Sequence, residues 1–181
     1  MSRIPLIDRT AASADRKALL DQVNQVFGAT PNMFKAVANS PAALKSMWGS
    51  FGALGGGAID AKLGEQIAVA VADRNACEYC LAAHTALGRK AGVSAEGMAA
   101  AQRGESADPA TAAALAFALK LVDGRGNLSE ADVQAVRKAG FSDEQIVEIL
   151  AHVALNLFTN YVNVAFAVPV DFAPVKPSRA A

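Results

Sequence analysis

The chain has little cysteine, no net charge and no long apolar run. Its 17 basic and 17 acidic residues cancel, so the overall charge does not favour binding to nucleic acid or to an anionic membrane. A membrane-spanning helix needs about 18 or more consecutive apolar residues, and no apolar run here is that long. The N-terminal sequence also lacks the apolar core of a signal peptide. We therefore expect a cytoplasmic protein whose thiols are kept reduced.

The only cysteines are Cys77 and Cys80. Two cysteines placed at random in a chain of this length would lie three positions apart in roughly one case in a hundred, so coincidence explains the pair poorly. A structural zinc site is disfavoured because only two histidines, His84 and His152, accompany the pair. Attachment of c-type haem needs a histidine directly after the second cysteine, and Leu81 stands there. The pair is therefore predicted to be a redox-active dithiol.

Signals for helix starts recur along the chain, each before a stretch with helical apolar periodicity. The predicted caps are Asp60, Ser94, Asp108, Ser129 and Ser142. No segment alternates in the manner of a β-strand, which also excludes the βαβ pattern of a thioredoxin-like protein. We predict one all-α domain over residues 14–168, with an irregular N-terminal arm over 1–13 and an irregular, proline-rich tail over 169–181.

The helix that carries the cysteines brings three reactive side chains together. With Asn75 as its predicted cap, it runs from about residue 76 to 91. In such a helix Cys77, Cys80 and His84 lie on one face. Cys77 falls in the first turn, where free amide protons and the positive end of the helix dipole stabilise a thiolate. His84 lies one turn beyond Cys80 and can exchange a proton with it directly or through one water.

Glu65 is the predicted partner of that histidine. It lies twelve residues before Cys77 and is followed by an apolar run without another charge. If the two helices pack antiparallel through this run, the Glu65 carboxylate reaches His84, fixes its tautomer and raises the basicity of the other ring nitrogen. Tyr79 is expected to face away from the cysteines and to pack in the core, and His152 is expected to be structural.

One short sequence echo is present. Residues 65–67 (Glu-Gln-Ile) recur at 144–146, each time opening an apolar helix. A duplicated helical unit that kept chemistry in one copy would produce this pattern, and so would a chance match. The same offset aligns Asn156 with Cys77, Thr159 with Cys80 and Asn163 with His84.

The string Glu65-x11-Cys77-x2-Cys80-x3-His84 resembles the signature of the alkylhydroperoxidase D branch of the carboxymuconolactone decarboxylase superfamily. The resemblance extends to residues 31–47, 77–92 and 155–166. It implies an AhpD-like helical bundle that assembles as a homo-oligomer, a trimer or a hexamer. It also implies reduction of hydroperoxides without a metal or other cofactor, with recycling by a dithiol reductant such as a lipoyl- or thioredoxin-like protein.

The same resemblance assigns a role to each site residue. Carried over by position, Cys80 is the peroxidatic thiol, Cys77 the resolving thiol, and Glu65 and His84 a proton relay. Some peroxidase members have a histidine where this chain has Tyr79. Two other functions stay open: a general disulfide oxidoreductase, and a redox-sensing oligomer that does not turn over. The decarboxylase branch lacks the dithiol, which disfavours a carboxymuconolactone-type decarboxylation.

Overall fold

The computed structural model of the chain describes residues 1–178, so the last three residues of the predicted tail, 179–181, lie outside the described residues. Residues 1–178 contain nine α-helices and no β-strand, which confirms the all-α prediction. The helices are α1 (Ala14–Phe27), α2 (Asn32–Val37), α3 (Pro41–Leu54), α4 (Ala61–Arg74), α5 (Glu78–Lys90), α6 (Ala95–Gln102), α7 (Pro109–Asp123), α8 (Glu130–Lys138) and α9 (Asp143–Ala165).

The predicted caps fix where five of these helices begin. Each capping side chain accepts a hydrogen bond from the backbone N–H three residues later, which satisfies one of the free donors of the first turn. The caps are Asp60, Ser94, Asp108, Ser129 and Ser142. At Ser129 and Ser142 the third helical residue bonds back to the cap, so both helices start with a complete capping box.

Helix α4 lies at the centre of the fold and packs against α5, α6, α7 and α9. All the residues from 67 to 72 are buried, so the helix is apolar on every side there. Alanine alternates with Ile or Val in this run, and the small side chains let neighbouring helices approach closely. Glu65 therefore lies on α4 just before its fully buried segment.

The connection from α4 to α5 differs from the sequence prediction. The predicted cap, Asn75, ends α4, and its side-chain amide donates a 2.9 Å hydrogen bond to Asn160. Ala76 adopts φ 50°, in the left-handed region that closes helices. The helix therefore begins two residues later than predicted, and Cys77 is its N-cap. The prediction of Asn75 as the cap was wrong because that side chain is bound to α9.

The short repeat of residues 65–67 at 144–146 lies in two different structural settings. Its first copy lies in α4 and is followed by the turn into α5, whereas its second copy opens α9, a single uninterrupted helix of 23 residues. In the described part of the chain, no helix is both long enough and apolar enough to cross a membrane.

Candidate active site

Both cysteine sulfurs lie at the start of α5, and the structure joins them in a disulfide with the Cα atoms 5.3 Å apart. That separation is within the ordinary range for disulfides. The Cys77 sulfur also accepts a hydrogen bond of 3.3 Å from the backbone N–H of Cys80, so it serves as the helix cap. Both residues are at least 98% buried. The dithiol is therefore held by the helix start itself.

Glu65 and His84 meet as the sequence predicts. The Glu65 Oε2 atom lies 2.8 Å from His84 Nδ1, across the α4–α5 interface. Gly88, one turn after the histidine, leaves room for its neighbours, since a Cβ there would lie 2.5 Å from the Met98 sulfur and 3.3 Å from the Glu65 Cβ. The carboxylate accepts the Nδ1 proton, which leaves Nε2 free to accept or donate a proton elsewhere.

A small apolar cavity lies beside Cys80. Cys80 and His84 line it, and Cys77 is not among its lining residues in the described part of the chain. The polar contribution from α9 is Thr159. Six apolar side chains form most of the wall: Phe27, Met33, Phe34, Phe51, Leu87 and Phe172. One cysteine of the pair therefore borders an apolar cavity.

The C-terminal tail closes one side of this cavity through a clasp centred on Tyr79. The tyrosine hydroxyl donates a 2.7 Å hydrogen bond to Asp171 and accepts one of 3.3 Å from the backbone N–H of Met33. Its ring packs edge-on against Phe172, with 5.8 Å between centroids. Burial first, and then the bond to Asp171, raises the pKa of Tyr79 far above its usual range, so the hydroxyl stays protonated.

The structure adds to the sequence predictions for Tyr79 and His152. Tyr79 is buried and packed, as predicted, but it also lines the cavity beside Cys80 rather than facing away from it. His152, which was expected to be structural, lines a second cavity together with Glu65, His84 and Asn156. His152 therefore lies next to the Glu65–His84 pair.

The environment of His152 favours its neutral form. Burial lowers its pKa, and the charges of Glu148 and Glu65 oppose that shift only in part, while His84 adds to it. Within residues 1–178 its Nε2 atom is buried and makes no hydrogen bond. A neutral imidazole beside the pair can accept a proton.

Helix α9 contributes a row of buried polar side chains that the sequence analysis did not assign to the site. They are Asn156, Thr159, Asn160 and Asn163. Asn163 Nδ2 donates a 3.2 Å hydrogen bond to the Cys80 sulfur. The signal was available, because the four residues are spaced at i, i+3, i+4 and i+7 on a largely apolar helix and therefore share one face. No cluster of three or more histidine, cysteine or carboxylate side chains suited to a metal ion occurs among residues 1–178.

Fold and site together define an all-α protein with a dithiol at a helix start, a Glu–His pair beside it and an apolar cavity in front of one sulfur. The model of the Carboxymuconolactone decarboxylase family matches residues 41–124, which include all four predicted site residues. No curated protein is significantly similar to the chain in sequence.

Solved structures extend the similarity over nearly the whole chain. The AhpD-core, peroxidase-related protein of Ralstonia eutropha JMP134 is 27% identical with a TM-score of 0.85, covering 94% of this chain and 92% of its own. The peroxidase-related protein of Silicibacter sp. TM1040 is 25% identical with a TM-score of 0.81, covering 96% and 92%. The family match over residues 41–124 and these two neighbours support the resemblance to the alkylhydroperoxidase D-like branch of the carboxymuconolactone decarboxylase superfamily.

A third structure shows that the fold is not restricted to one chemistry. The debrominase Bmp8, solved with 2,3,4-tribromopyrrole, has a TM-score of 0.77 and is 22% identical, covering 94% of both chains. At this identity the likeness concerns the fold alone.

Proposed function

We propose that the protein is a thiol-dependent peroxidase that reduces organic hydroperoxides through a Cys77/Cys80 dithiol–disulfide cycle. One observation carries the proposal. Cys80 lines an apolar cavity together with His84, whose Nδ1 atom lies 2.8 Å from the Glu65 carboxylate. A nucleophile, a proton carrier and space for an apolar substrate are thus adjacent.

The proposed cycle starts from reduced Cys80. Its thiolate attacks one peroxide oxygen, the O–O bond breaks, and the departing alkoxide takes a proton from His84 to leave as the alcohol. Cys80 is then a sulfenic acid. The Cys77 thiol condenses with it, which forms the disulfide and releases water. An external dithiol of the lipoyl or thioredoxin class returns two electrons and two protons, so the cycle needs no metal or other cofactor.

Proton delivery is the step that the Glu65–His84 pair serves. A thiol of pKa about 8.5 is only about 3% ionised at pH 7, and lowering the pKa to about 6.5 raises the thiolate fraction roughly 25-fold. Nucleophilicity falls meanwhile by about eightfold, if the coefficient for thiol–disulfide exchange applies. The net gain is about threefold. Protonation of a leaving group by a positioned acid contributes about 10²–10⁴, so the relay outweighs thiol acidity.

We also propose a homo-oligomer, a trimer or a hexamer, in a reducing cytoplasm. Helix α9 leaves large apolar side chains exposed along one stripe, namely Val147, Leu150, Phe158 and Tyr161. Their spacing of three, eight and three residues keeps them on one face of the helix. A second copy of the chain would remove this stripe from water. Light scattering coupled to size-exclusion chromatography tests the assembly, and a monomer at micromolar concentration would overturn it.

The experiment for the activity is a steady-state assay with dihydrolipoamide as reductant. Its substrates are hydrogen peroxide, cumene hydroperoxide and 2,3,4-tribromopyrrole, with Cys80→Ser as the matched control. We expect many turnovers with cumene hydroperoxide and none in Cys80→Ser. Consumption that stops after one equivalent would instead indicate a redox sensor. Reduction of disulfide substrates without peroxide turnover would indicate a disulfide oxidoreductase, and bromide release alone a dehalogenase.

A further inference from the structure

The four buried polar residues of α9 require an explanation because they lie in a mostly apolar helix. Asn163 is 96% buried and Cys80 is 98% buried. The Asn163 Nδ2 atom donates a hydrogen bond to the Cys80 sulfur. The Oδ1 atom of the same amide is buried and makes no hydrogen bond within residues 1–178. A buried amide with only half of its capacity used costs stability. Core packing alone would favour leucine at this position.

The two sulfurs receive their hydrogen bonds from different sources. Cys77 accepts from the Cys80 backbone N–H, a donor that any helix start supplies. Cys80 accepts from a side chain on another helix, Asn163 of α9. A thiolate can only accept hydrogen bonds, whereas a carboxamide offers two N–H donors. Burial in an apolar cavity otherwise opposes ionisation of a thiol.

We propose that Asn163 is a further catalytic residue, whose side-chain N–H groups hold the Cys80 sulfur in its ionised, reactive form. The inference rests on the proposed function, since it concerns the thiol that attacks the peroxide. It goes beyond the Glu–Cys–His string, because Asn163 lies outside that motif and reaches the site only through the packing of α5 on α9.

Other charged and titratable groups around Cys80 act on the same equilibrium. On α5 they are Cys77, Tyr79 and His84, on α4 Glu65, and on α9 His152. Tyr79 stays neutral over the working range because its pKa is raised. The test below replaces Cys77 by serine in every protein compared and leaves the other four groups in place, so a difference in Cys80 ionisation between variants reports on the amide.

The test uses the full chain in a Cys77→Ser background, so that Cys80 is the only thiol and the pH dependence of its alkylation rate reports on its ionisation alone. Asn163→Leu removes the donor at similar volume, and Asn163→Asp replaces it with an isosteric carboxylate that repels a thiolate. Asn160→Leu is the matched control, since Asn160 is equally buried on the same helix but bonds to Asn75. Circular dichroism establishes that each variant is folded.

We expect Asn163→Leu to raise the midpoint of Cys80 ionisation by about one to two pH units, and Asn163→Asp to raise it further. Asn160→Leu should leave it unchanged. Because a less acidic thiol is intrinsically more nucleophilic, peroxide reduction at pH 7 should slow only about three- to tenfold. Above pH 9.5 the loss should largely disappear, whereas a misplaced sulfur would stay slow at every pH.

An unchanged ionisation midpoint in both Asn163 variants would overturn the inference, and so would an equal shift in Asn160→Leu. The ionisation measurement uses no peroxide, so its result does not depend on turnover. Failure of the wild-type protein to reduce any hydroperoxide would overturn the proposed function and leave a shifted midpoint standing. Peroxide turnover by the wild-type protein together with an unshifted midpoint in the Asn163 variants would support the proposed function and overturn the role of Asn163.

Discussion

The sulfurs of Cys77 and Cys80 are bonded to each other, yet their surroundings differ in almost every respect. Cys77 caps α5 and receives the free backbone amide of the first turn. Cys80 lies inside the helix, lines the apolar cavity and receives a side-chain donor from Asn163. A helix start stabilises a thiolate electrostatically, so acidity alone would favour Cys77 as the attacking thiol. Access to the cavity favours Cys80.

Under the proposed function, the comparison means that position relative to the substrate and the proton carrier, rather than acidity, decides which thiol attacks. Thiol acidity yields only a few-fold in rate, whereas proton delivery yields about 10² or more. His84 lines the cavity with Cys80 and not with Cys77 among the described residues. The helix-start environment of Cys77 suits the second role, since a thiol that is readily ionised resolves a sulfenic acid quickly.

The largest expected effect comes from disrupting the Glu65–His84 pair beside Cys80. Glu65→Gln keeps the shape of the side chain but removes the charge that orients His84, so steady-state peroxide reduction should fall by about 10² or more. His84→Gln should cause a similar loss. The double variant should be little worse than either single one, because groups that act as a unit are non-additive. Turnover measured with dihydrolipoamide checks this.

Near-wild-type turnover in Glu65→Gln would show that the carboxylate has no part in proton delivery, and the comparison would lose its argument for Cys80 as the attacking thiol. The thiol ionisation midpoint is the control. It should move by no more than about two pH units, too little to account for a loss of that size.

A smaller effect is expected from changing the wall of the cavity that Cys80, and not Cys77, lines in the described part of the chain. Phe172→Ala should enlarge the space beside Cys80 and raise KM for cumene hydroperoxide several-fold, because apolar contact with the substrate is lost. Turnover of hydrogen peroxide should change little. Val175→Ala is the control, since Val175 belongs to the same tail and packs on the core without lining the cavity. Equal losses with both peroxides would show that Phe172 supports the fold rather than substrate selection.

The smallest expected effect concerns His152, which touches neither sulfur. Its pKa in the folded protein is lowered mainly by burial, so the unfolded chain binds a proton first as the pH falls. Its contribution to stability is therefore present above about pH 6.5 and is lost as the pH falls from there through the lowered folded value. His152→Gln should make the decline of the urea midpoint between pH 8 and 5 less steep. An identical decline in both proteins would exclude this contribution.

The sequence predicted those features that depend on local signals. Five helix starts followed from single capping residues such as Ser142, whose side chain bonds within its own first turn. The Glu65–His84 contact followed from two neighbouring helices joined by a short turn. The start of α5 was misplaced because Asn75 has a partner on α9, 85 positions away, that no local pattern reveals.

The remaining parts of the site depend on contacts between distant segments. Tyr79 becomes a cavity wall because Asp171 and Phe172 return to it from the tail. Asn163 reaches Cys80 only through the packing of α9 on α5. The i, i+3, i+4, i+7 spacing of polar residues in α9 identifies a shared face, but it does not say what that face meets.

Trapping the sulfenic acid tests the difference between the two sulfurs most directly. Cys77→Ser and Cys80→Ser are each reduced, treated with one equivalent of cumene hydroperoxide in the presence of dimedone, and analysed by peptide mass spectrometry. The account predicts nearly stoichiometric labelling of Cys80 in Cys77→Ser and little labelling of Cys77 in Cys80→Ser. The reverse pattern would show that the helix dipole outweighs cavity access and proton delivery, and the two roles would have to be exchanged.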